Sequence, residues 1–95
     1  MPRRRYLLGY DISDPKRLRE VHRCGRRFGY PLQYSLFICD MDEAEVIQLK
    51  WNLGDIIVHN IDRVVLIDLG DPKQERRFHF MGVRPLLPSS GPTIV

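Results

Sequence analysis

The sequence predicts one domain of the α+β class, and three observations support this. Apolar residues are continuous or alternate, as in β-strands, over 4–11, 32–40 and 63–69. They recur at helical spacing over 15–28 and 43–57, and a capping residue precedes each of these segments. The length of 95 residues suits a single hydrophobic core. Because only two helices separate the strands, we expect a sheet with antiparallel pairs rather than a doubly wound parallel one.

The composition excludes several classes of protein. Apolar residues make up 43% of the chain and charged residues 28%, as in an ordinary folded domain. No apolar run approaches the roughly 18 residues of a membrane span, and the apolar run after the basic start is too short for a signal peptide. We therefore expect a cytoplasmic protein without a membrane partner. Cys24 and Cys39 lack metal-ligand spacing, and we interpret them as small apolar core residues.

Charge is segregated along the chain. Residues 1–34 carry nine Arg/Lys and three acidic residues, whereas residues 35–62 carry one Lys and six acidic residues. Residues 63–95 carry five basic and three acidic residues, so the net charges of the three parts are +6, −5 and +2. A basic first third favours an anionic partner, of which nucleic acid is the commonest. A basic surface that is merely solvated remains the alternative.

The first predicted strand, Arg4–Asp11, ends in a carboxylate. Ser13 or Asp14 can cap the next helix, and Pro15 suits its first turn. Alternation divides the strand into two faces, one with Tyr6, Leu8 and Tyr10 and the other with Leu7, Gly9 and Asp11. The pattern therefore predicts an acidic side chain at the end of a strand, directly before a helix.

The first predicted helix, Pro15–Phe28, has an apolar stripe and a basic side. The stripe consists of Leu18, Val21, Gly25 and Phe28. Five cations fall within an arc of roughly 100° on the opposite side: Lys16, Arg19, Arg23, Arg26 and Arg27. Mixed signs are normal on a helix that is merely soluble, so this arc favours contact with an anion. Arg17 lies outside the arc, near the start of the helix, where we expect it to point toward Asp11.

The second half repeats the alternation of strand and helix. Residues 32–40 form an extended segment that is either one strand or two strands separated by a kink, and the sequence leaves both open. Asp42 and Glu45 form a capping box for a helix over about Glu43–Ile57, and Arg63–Leu69 is a further strand. The order of elements predicts a ferredoxin-like sandwich of the βαββαβ type, an antiparallel sheet with two helices on one face.

The remaining residues are not needed for that unit. Residues Arg76–Met81 have the character of another strand, and Thr93–Val95 that of a short last strand. We expect a domain over 1–82 and a C-terminal strand arm over 83–95 that packs in the interface of a homodimer.

Asp11 is the best-placed candidate for metal-dependent chemistry. A metal-dependent phosphodiesterase needs carboxylates that hold a divalent cation, but one carboxylate makes a poor Mg²⁺ site. Two copies of Asp11 that face each other across a dimer axis would supply the missing ligand. The alternative is that Asp11 only begins the turn. The three histidines show no ligand spacing, and no catalytic triad order or phosphate-binding glycine loop is present.

The order of motifs resembles the CRISPR-associated Cas-two family. The motifs are the strand end YDISD, the basic helix and the segment QYSLFICDMDEAE, and the resemblance covers residues 4–69. It implies a ferredoxin-like fold, a symmetric dimer and a Mg²⁺ (or Mn²⁺) ion between two copies of Asp11. It also implies metal-dependent endonuclease activity on RNA or DNA, with Asp11 as the catalytic and metal-binding residue.

The resemblance further implies a bridging role in spacer integration. In that role the dimer connects integrases of the Cas-one family and holds DNA on basic surfaces. Tyr10, Arg17, Arg19, Ser35 and Phe37 match positions that the family associates with activity or substrate contact, and Arg23, Arg26 and Arg27 extend the predicted nucleic-acid surface. One departure is Pro31, because the family usually has an arginine there, two residues before the glutamine of QYS.

Three hypotheses follow from these observations. The first is a nuclease centred on Asp11, and the second is a non-catalytic adaptor that needs only the fold, the dimer and the basic surface. The third is a ferredoxin-like toxin ribonuclease or a small-ligand regulatory module. The QYS segment and the arginine-rich helix argue against the regulatory module.

Overall fold

The computed structural model describes residues 2–74 and 78–83. Its elements are β1 (Arg4–Asp11), α1 (Pro15–Phe28), β2 (Tyr30–Gln33), β3 (Leu36–Met41), α2 (Glu43–Ile56) and β4 (Arg63–Gly70). The four strands form one sheet in the order β2-β3-β1-β4, and all neighbouring strands are antiparallel. This confirms the predicted ferredoxin-like βαββαβ architecture. No helix in the described ranges is long and apolar enough to cross a membrane.

The two faces of the central strand β1 have different environments. Leu8 and Tyr10 belong to the core between the sheet and the helices, and Tyr6 packs against it. Leu7 lies on the other face, level with Ile38 of β3 and Ile67 of β4. We call this second face the open face, because both helices cover the first one. The alternation predicted for β1 is therefore confirmed, and it places Asp11 on the open face.

The core is built from both helices and the inner sides of β1 and β3. Its most deeply buried members include Leu8, Val21, Phe37 and Leu49. Burial of each such side chain stabilises the fold by about 1.5–3 kcal/mol relative to exposure. Cys24 and Cys39 are buried in the same cluster, so their interpretation as apolar core residues is confirmed.

Local sequence features fix the positions of the helices. Asp14 caps α1 by accepting a hydrogen bond from the Arg17 N–H at 2.9 Å. Asp42 and Glu45 form the predicted capping box of α2. At the end of α1, a Cβ atom on Gly29 would lie 2.2 Å from the carbonyl oxygen of Ile38. Gly29 therefore allows a close approach between the end of α1 and β3.

The extended segment at 32–40 is two strands rather than one. A turn at Tyr34 and Ser35 separates β2 from β3, and the register of the pair shifts between Pro31 and Gln33. Of the two alternatives that the sequence left open, two strands separated by a break is therefore confirmed. The turn leaves Ser35 exposed, whereas Phe37 enters the core.

The predicted strand over Arg76–Met81 is not present in its described part. Residues 78–81 have no strand pairing, and residues 75–77 lie outside the described residues. Residues Phe78–Met81 and Val83 instead line a cavity of about 490 Å³ with Leu7, Leu32, Gln33 and Leu36 of the sheet. The predicted last strand and most of the predicted arm, residues 84–95, also lie outside the described residues.

Candidate active site

Asp11 stands at the rim of a depression on the open face. The depression has a volume of about 290 Å³ and is lined by Gly9, Tyr10, Asp11, Gln33, Ser35, Leu36, Arg63 and Val65. Asp11 is the last residue of β1, and its side chain is exposed. The following residue, Ile12, is buried in the core and anchors the strand end. The sequence thus presents a carboxylate on a rigid strand rather than on a loop.

The turn between β2 and β3 brings Ser35 and Gln33 to the same depression. The Tyr10 N–H donates a hydrogen bond to the carbonyl oxygen of Ser35 at 3.2 Å, which ties the turn to the end of β1. Ser35, predicted as a substrate contact, therefore lies beside Asp11. Gln33 belongs to the same site, although the sequence analysis did not assign it a role.

Tyr10, another predicted substrate contact, supports this turn from beneath. Its hydroxyl donates to the carbonyl oxygen of Tyr34 at 2.9 Å and lies 3.1 Å from Nδ1 of His22. The His22 ring stacks on Tyr34, with ring centroids 4.7 Å apart. Burial, with a smaller effect from Tyr34, raises the pKa of Tyr10 to about 12. The Tyr10 hydroxyl is thus occupied within the protein, and we assign this residue a positioning role.

Phe37 does not line the depression. Its side chain is 0% exposed, and a Cβ atom on Gly25 would lie only 3.1 Å from its ring. The ring also contacts His22 edge-on, with centroids 5.2 Å apart. The resemblance implied that Phe37 contacts substrate, and this is wrong for this surface because the Phe37 side chain lies in the core.

Arg17 does not point toward Asp11, so that prediction is wrong. Its Nε and Nη2 atoms donate to the two carboxylate oxygens of Asp62, at 2.7 and 3.1 Å. The buried Asp62 carboxylate also accepts from the Val58 N–H at 2.8 Å. The hydrogen bond from Arg17 is the main reason that the pKa of Asp62 is lowered, and the same bond raises the pKa of Arg17. The two residues are 45 positions apart, and nothing local in the sequence indicates that they pair.

The basic arc of α1 is separate from Asp11. Lys16, Arg19, Arg23, Arg26 and Arg27 are all exposed on the helix. Because α1 covers the inner face of the sheet and Asp11 lies on the open face, one subunit presents these two features on different sides. The structure does not bring the predicted arginines and the predicted metal ligand into one site.

The donor atoms in the depression suit a hard cation. Asp11 offers a carboxylate, Ser35 a hydroxyl and Gln33 an amide oxygen, and Mg²⁺ and Mn²⁺ prefer such oxygen ligands. Asp14, in contrast, is engaged as the cap of α1. Across the ranges that the structure describes, no group of three His, Cys, Asp or Glu residues could hold a metal. Asp11 is thus the one carboxylate among the described residues that line the depression.

Arg63, like Gln33, belongs to the site without having been predicted from the sequence. It is the first residue of β4, and its Cα is paired with that of Asp11 in the antiparallel register. The sequence places the two residues 52 positions apart, so only knowledge of the strand order and register could have brought them together.

Comparison with known proteins relates this architecture to one family. Residues 4–77 match the family model described as CRISPR associated protein Cas2. A protein of Geobacter sulfurreducens named CRISPR-associated endoribonuclease Cas2 is 31% identical over 88 residues, which cover 93% of this chain and 84% of that protein. A Rhodospirillum rubrum protein, CRISPR-associated endoribonuclease Cas2 1, is 37% identical over 65 residues, or 68% of this chain and 64% of that one.

A solved structure agrees with these sequence matches. The crystal structure of Streptococcus pyogenes Cas2 at pH 6.5 superimposes with a TM-score of 0.75 and 31% sequence identity. The superposition covers 82% of this chain and 99% of the Streptococcus pyogenes chain. The similarity therefore extends through the whole four-stranded sheet and both helices.

Proposed function

Since the chain belongs to the CRISPR-associated protein Cas2 family, we propose that it is a Mg²⁺-dependent endonuclease that hydrolyses phosphodiester bonds of RNA or DNA. The supporting observation is Asp11, an exposed carboxylate that a rigid strand end presents in a depression beside a hydroxyl, an amide and a guanidinium. Among residues 2–74 and 78–83, no ion pair involves Asp11. Its carboxylate is therefore available to a cation or a substrate. The endoribonuclease names of the relatives favour RNA as the first substrate to test.

Asp11 and its copy in a second subunit would hold the cation. When bound, Mg²⁺ (or Mn²⁺) would polarise the scissile phosphate and lower the pKa of a water molecule. Ser35 and Gln33 can orient the phosphate or that water by hydrogen bonding. Tyr10 keeps the turn that carries them against the end of β1.

The open face supports a homodimer. Val65 and Ile67 of β4 are 47% and 44% exposed on this face, although apolar side chains favour burial. A symmetric interface across the open face would bury them and bring two copies of Asp11 toward each other. We further propose that the domain at 1–82 is completed in this dimer by the arm at 83–95.

A second role, as an adaptor in spacer integration, is favoured by the position of the basic arc. The exposed arginines of α1 lie on the side of the subunit opposite the open face, so they can bind nucleic acid while the dimer remains intact. In this role the dimer would bridge Cas-one integrases in the cytoplasm. Family membership favours this alternative over a toxin ribonuclease.

Replacement of Asp11 with Asn tests the proposed nuclease. We expect Asp11→Asn to abolish Mg²⁺-dependent cleavage of RNA and DNA, because the amide is neutral and binds the cation poorly. Cleavage is measured on both substrates with Mg²⁺, with Mn²⁺ and with a chelator, and spacer acquisition is measured in cells.

The outcomes separate the two roles. Loss of cleavage with acquisition intact would make the nuclease real but dispensable for integration. Cleavage by the variant at the wild-type rate would contradict the assignment of Asp11. A wild-type protein that cleaves neither substrate under any of these conditions would leave only the adaptor.

A further inference from the structure

We propose that Arg63 binds the phosphate of the nucleic acid at the Asp11 depression and stabilises the negative charge that develops there during cleavage. The assignment deepens the proposed nuclease function and rests on it for the cleavage step. Phosphate binding by Arg63, in contrast, can be measured without any cleavage.

The strand register places Arg63 next to Asp11. Arg63 and Asp11 are directly opposite each other in the antiparallel pair of β4 and β1, and both line the depression. Side chains at opposite positions of such a pair lie on the same face, with Cβ atoms about 5 Å apart. The guanidinium of Arg63 can therefore reach a phosphate group that contacts the Asp11 site.

The guanidinium of Arg63 is also available to bind an anion. It is exposed, and the part of the chain that the structure describes contains no ion pair between Arg63 and a carboxylate, Asp11 included. Other arginines of the fold have such partners. Arg4 pairs with Asp68, Arg5 with Asp40 and Arg17 with Asp62. Because the guanidinium of Arg63 forms no ion pair with the neighbouring Asp11 carboxylate, it can bind an anion.

Within residues 2–74 and 78–83, no other basic side chain lines the depression. Of the described residues that line it, only Arg63 is basic. Arg17 is held by Asp62, and the side chains that β2 and the following turn contribute to the depression, Gln33 and Ser35, are uncharged. Arg63 thus supplies the positive charge at this site from β4.

The chemistry fits a guanidinium. In hydrolysis, the water oxygen forms a new bond to phosphorus, one bridging P–O bond breaks, the proton of the water passes to solvent, and the departing oxygen takes up a proton. Negative charge grows on the phosphate oxygens in the transition state, and a guanidinium can donate two parallel hydrogen bonds to them. Arg63 would bind the substrate phosphate in the ground state and bind it more tightly in the transition state.

The test compares Arg63→Gln and Arg63→Lys with a charge-matched control, Lys50→Gln. Lys50 is exposed on α2, outside the depression, and its replacement removes the same single charge. The first measurement is binding of an RNA oligonucleotide with chelator present, over a range of salt concentrations. We expect Arg63→Gln to weaken binding and to lower the slope of log affinity against log salt by about one phosphate contact. Lys50→Gln should leave the slope unchanged, and Arg63→Lys should retain most of it.

The second measurement is single-turnover cleavage with saturating Mg²⁺. We expect Arg63→Gln to lower the rate by about 10²–10³-fold, the usual loss on removal of one donor to a developing oxyanion. Arg63→Lys should recover part of the rate, and Lys50→Gln should equal wild type.

Three results would overturn the proposal. In the first, Arg63→Gln and Lys50→Gln have the same salt slope. In the second, the two variants cleave at the same rate. In the third, Arg63→Gln cleaves faster than wild type. The last result would mean that Arg63 competes with the cation for Asp11. If wild type does not cleave, the nuclease function fails, and the salt slope alone decides whether Arg63 binds phosphate.

Discussion

The inner and open faces of β1 differ in what they contribute to the protein. Leu8 and Tyr10 on the inner face are buried under two helices, whereas Asp11 on the open face is exposed in a depression. Alternate residues of one strand therefore contribute to the centre of the core, and the residues between them include the candidate catalytic residue. The inner face contributes most of the core, whereas the open face leaves Asp11, Val65 and Ile67 exposed. Substitutions on the two faces should separate stability from association and chemistry.

The largest expected effect is truncation on the inner side of β3. Phe37→Ala should destabilise the fold by about 3–5 kcal/mol, because it leaves a cavity under Gly25 in a core that relaxes only partly. Urea denaturation measures the change in the free energy of unfolding. Val65→Ala is the control on the open face, and we expect it to cost less than about 1 kcal/mol when the protein is dilute.

The control also tests the proposed dimer. If the open face forms the interface, the effect of Val65→Ala should increase with protein concentration, because association stabilises the folded chain. An equal loss of stability for both variants in dilute protein would contradict the division between the two faces.

A pH-dependent effect is expected from the ion pair between the start of α1 and the start of β4. The pKa of Asp62 is lowered in the folded protein from its usual value of 3.8. Its contribution to stability is therefore present above about pH 4 and lost as the pH falls through the folded-state pKa. We expect Asp62→Asn to lower the melting temperature at pH 7, and the difference from wild type to shrink in acid. Melting temperatures from pH 7 to 2 measure this, and two parallel curves would contradict it.

The smallest expected effect concerns Tyr10, where the two faces meet at the β2–β3 turn. Tyr10→Phe removes the hydrogen bond to the Tyr34 carbonyl and should cost about 1 kcal/mol at pH 7. The pKa of Tyr10 is raised from 10.0 to about 12, so its contribution is present below pH 10 and lost as the pH rises toward 12.

The alkaline experiment must also consider Cys39, because burial raises its pKa from 9.0 to about 12. Wild type should lose stability from about pH 9 upward, and Tyr10→Phe should lose less of it above pH 10. Chemical denaturation between pH 8 and 11.5 measures the difference. A loss of stability equally steep in both proteins would contradict the role given to Tyr10.

Local and periodic features were predictable from the sequence. The capping residues Asp14 and Asp42, the faces of β1 and the order of the elements were predicted and are confirmed, because each depends on neighbouring residues. The family resemblance is confirmed as well, since the quoted motifs lie within the matched residues 4–77. Within the candidate site, the position of Asp11 at the end of β1 was predictable for the same reason. The position of Ser35 was not, because it depends on the turn between β2 and β3.

Contacts between distant residues were not predictable. The pairing of Arg17 with Asp62, and the position of Arg63 beside Asp11, both depend on how β4 docks against the rest of the fold. Whether the segment at 32–40 contains a turn was left open by the sequence for another reason, because either one strand or two could produce its apolar pattern. That turn decides which residues of the QYS segment reach the surface.

The strand order has a consequence for how the chain folds. β1 lies between β3 and β4, and both of these neighbours belong to the second half of the fold, β3-α2-β4. The first half, with β1, α1 and β2, therefore contains no pair of adjacent strands and cannot form a sheet alone. Folding must bring residues more than 50 positions apart together before the central strand is paired on both sides, as in Asp11 and Arg63. Such non-local pairing slows folding and makes it cooperative, so the two halves are expected to fold and unfold as one unit.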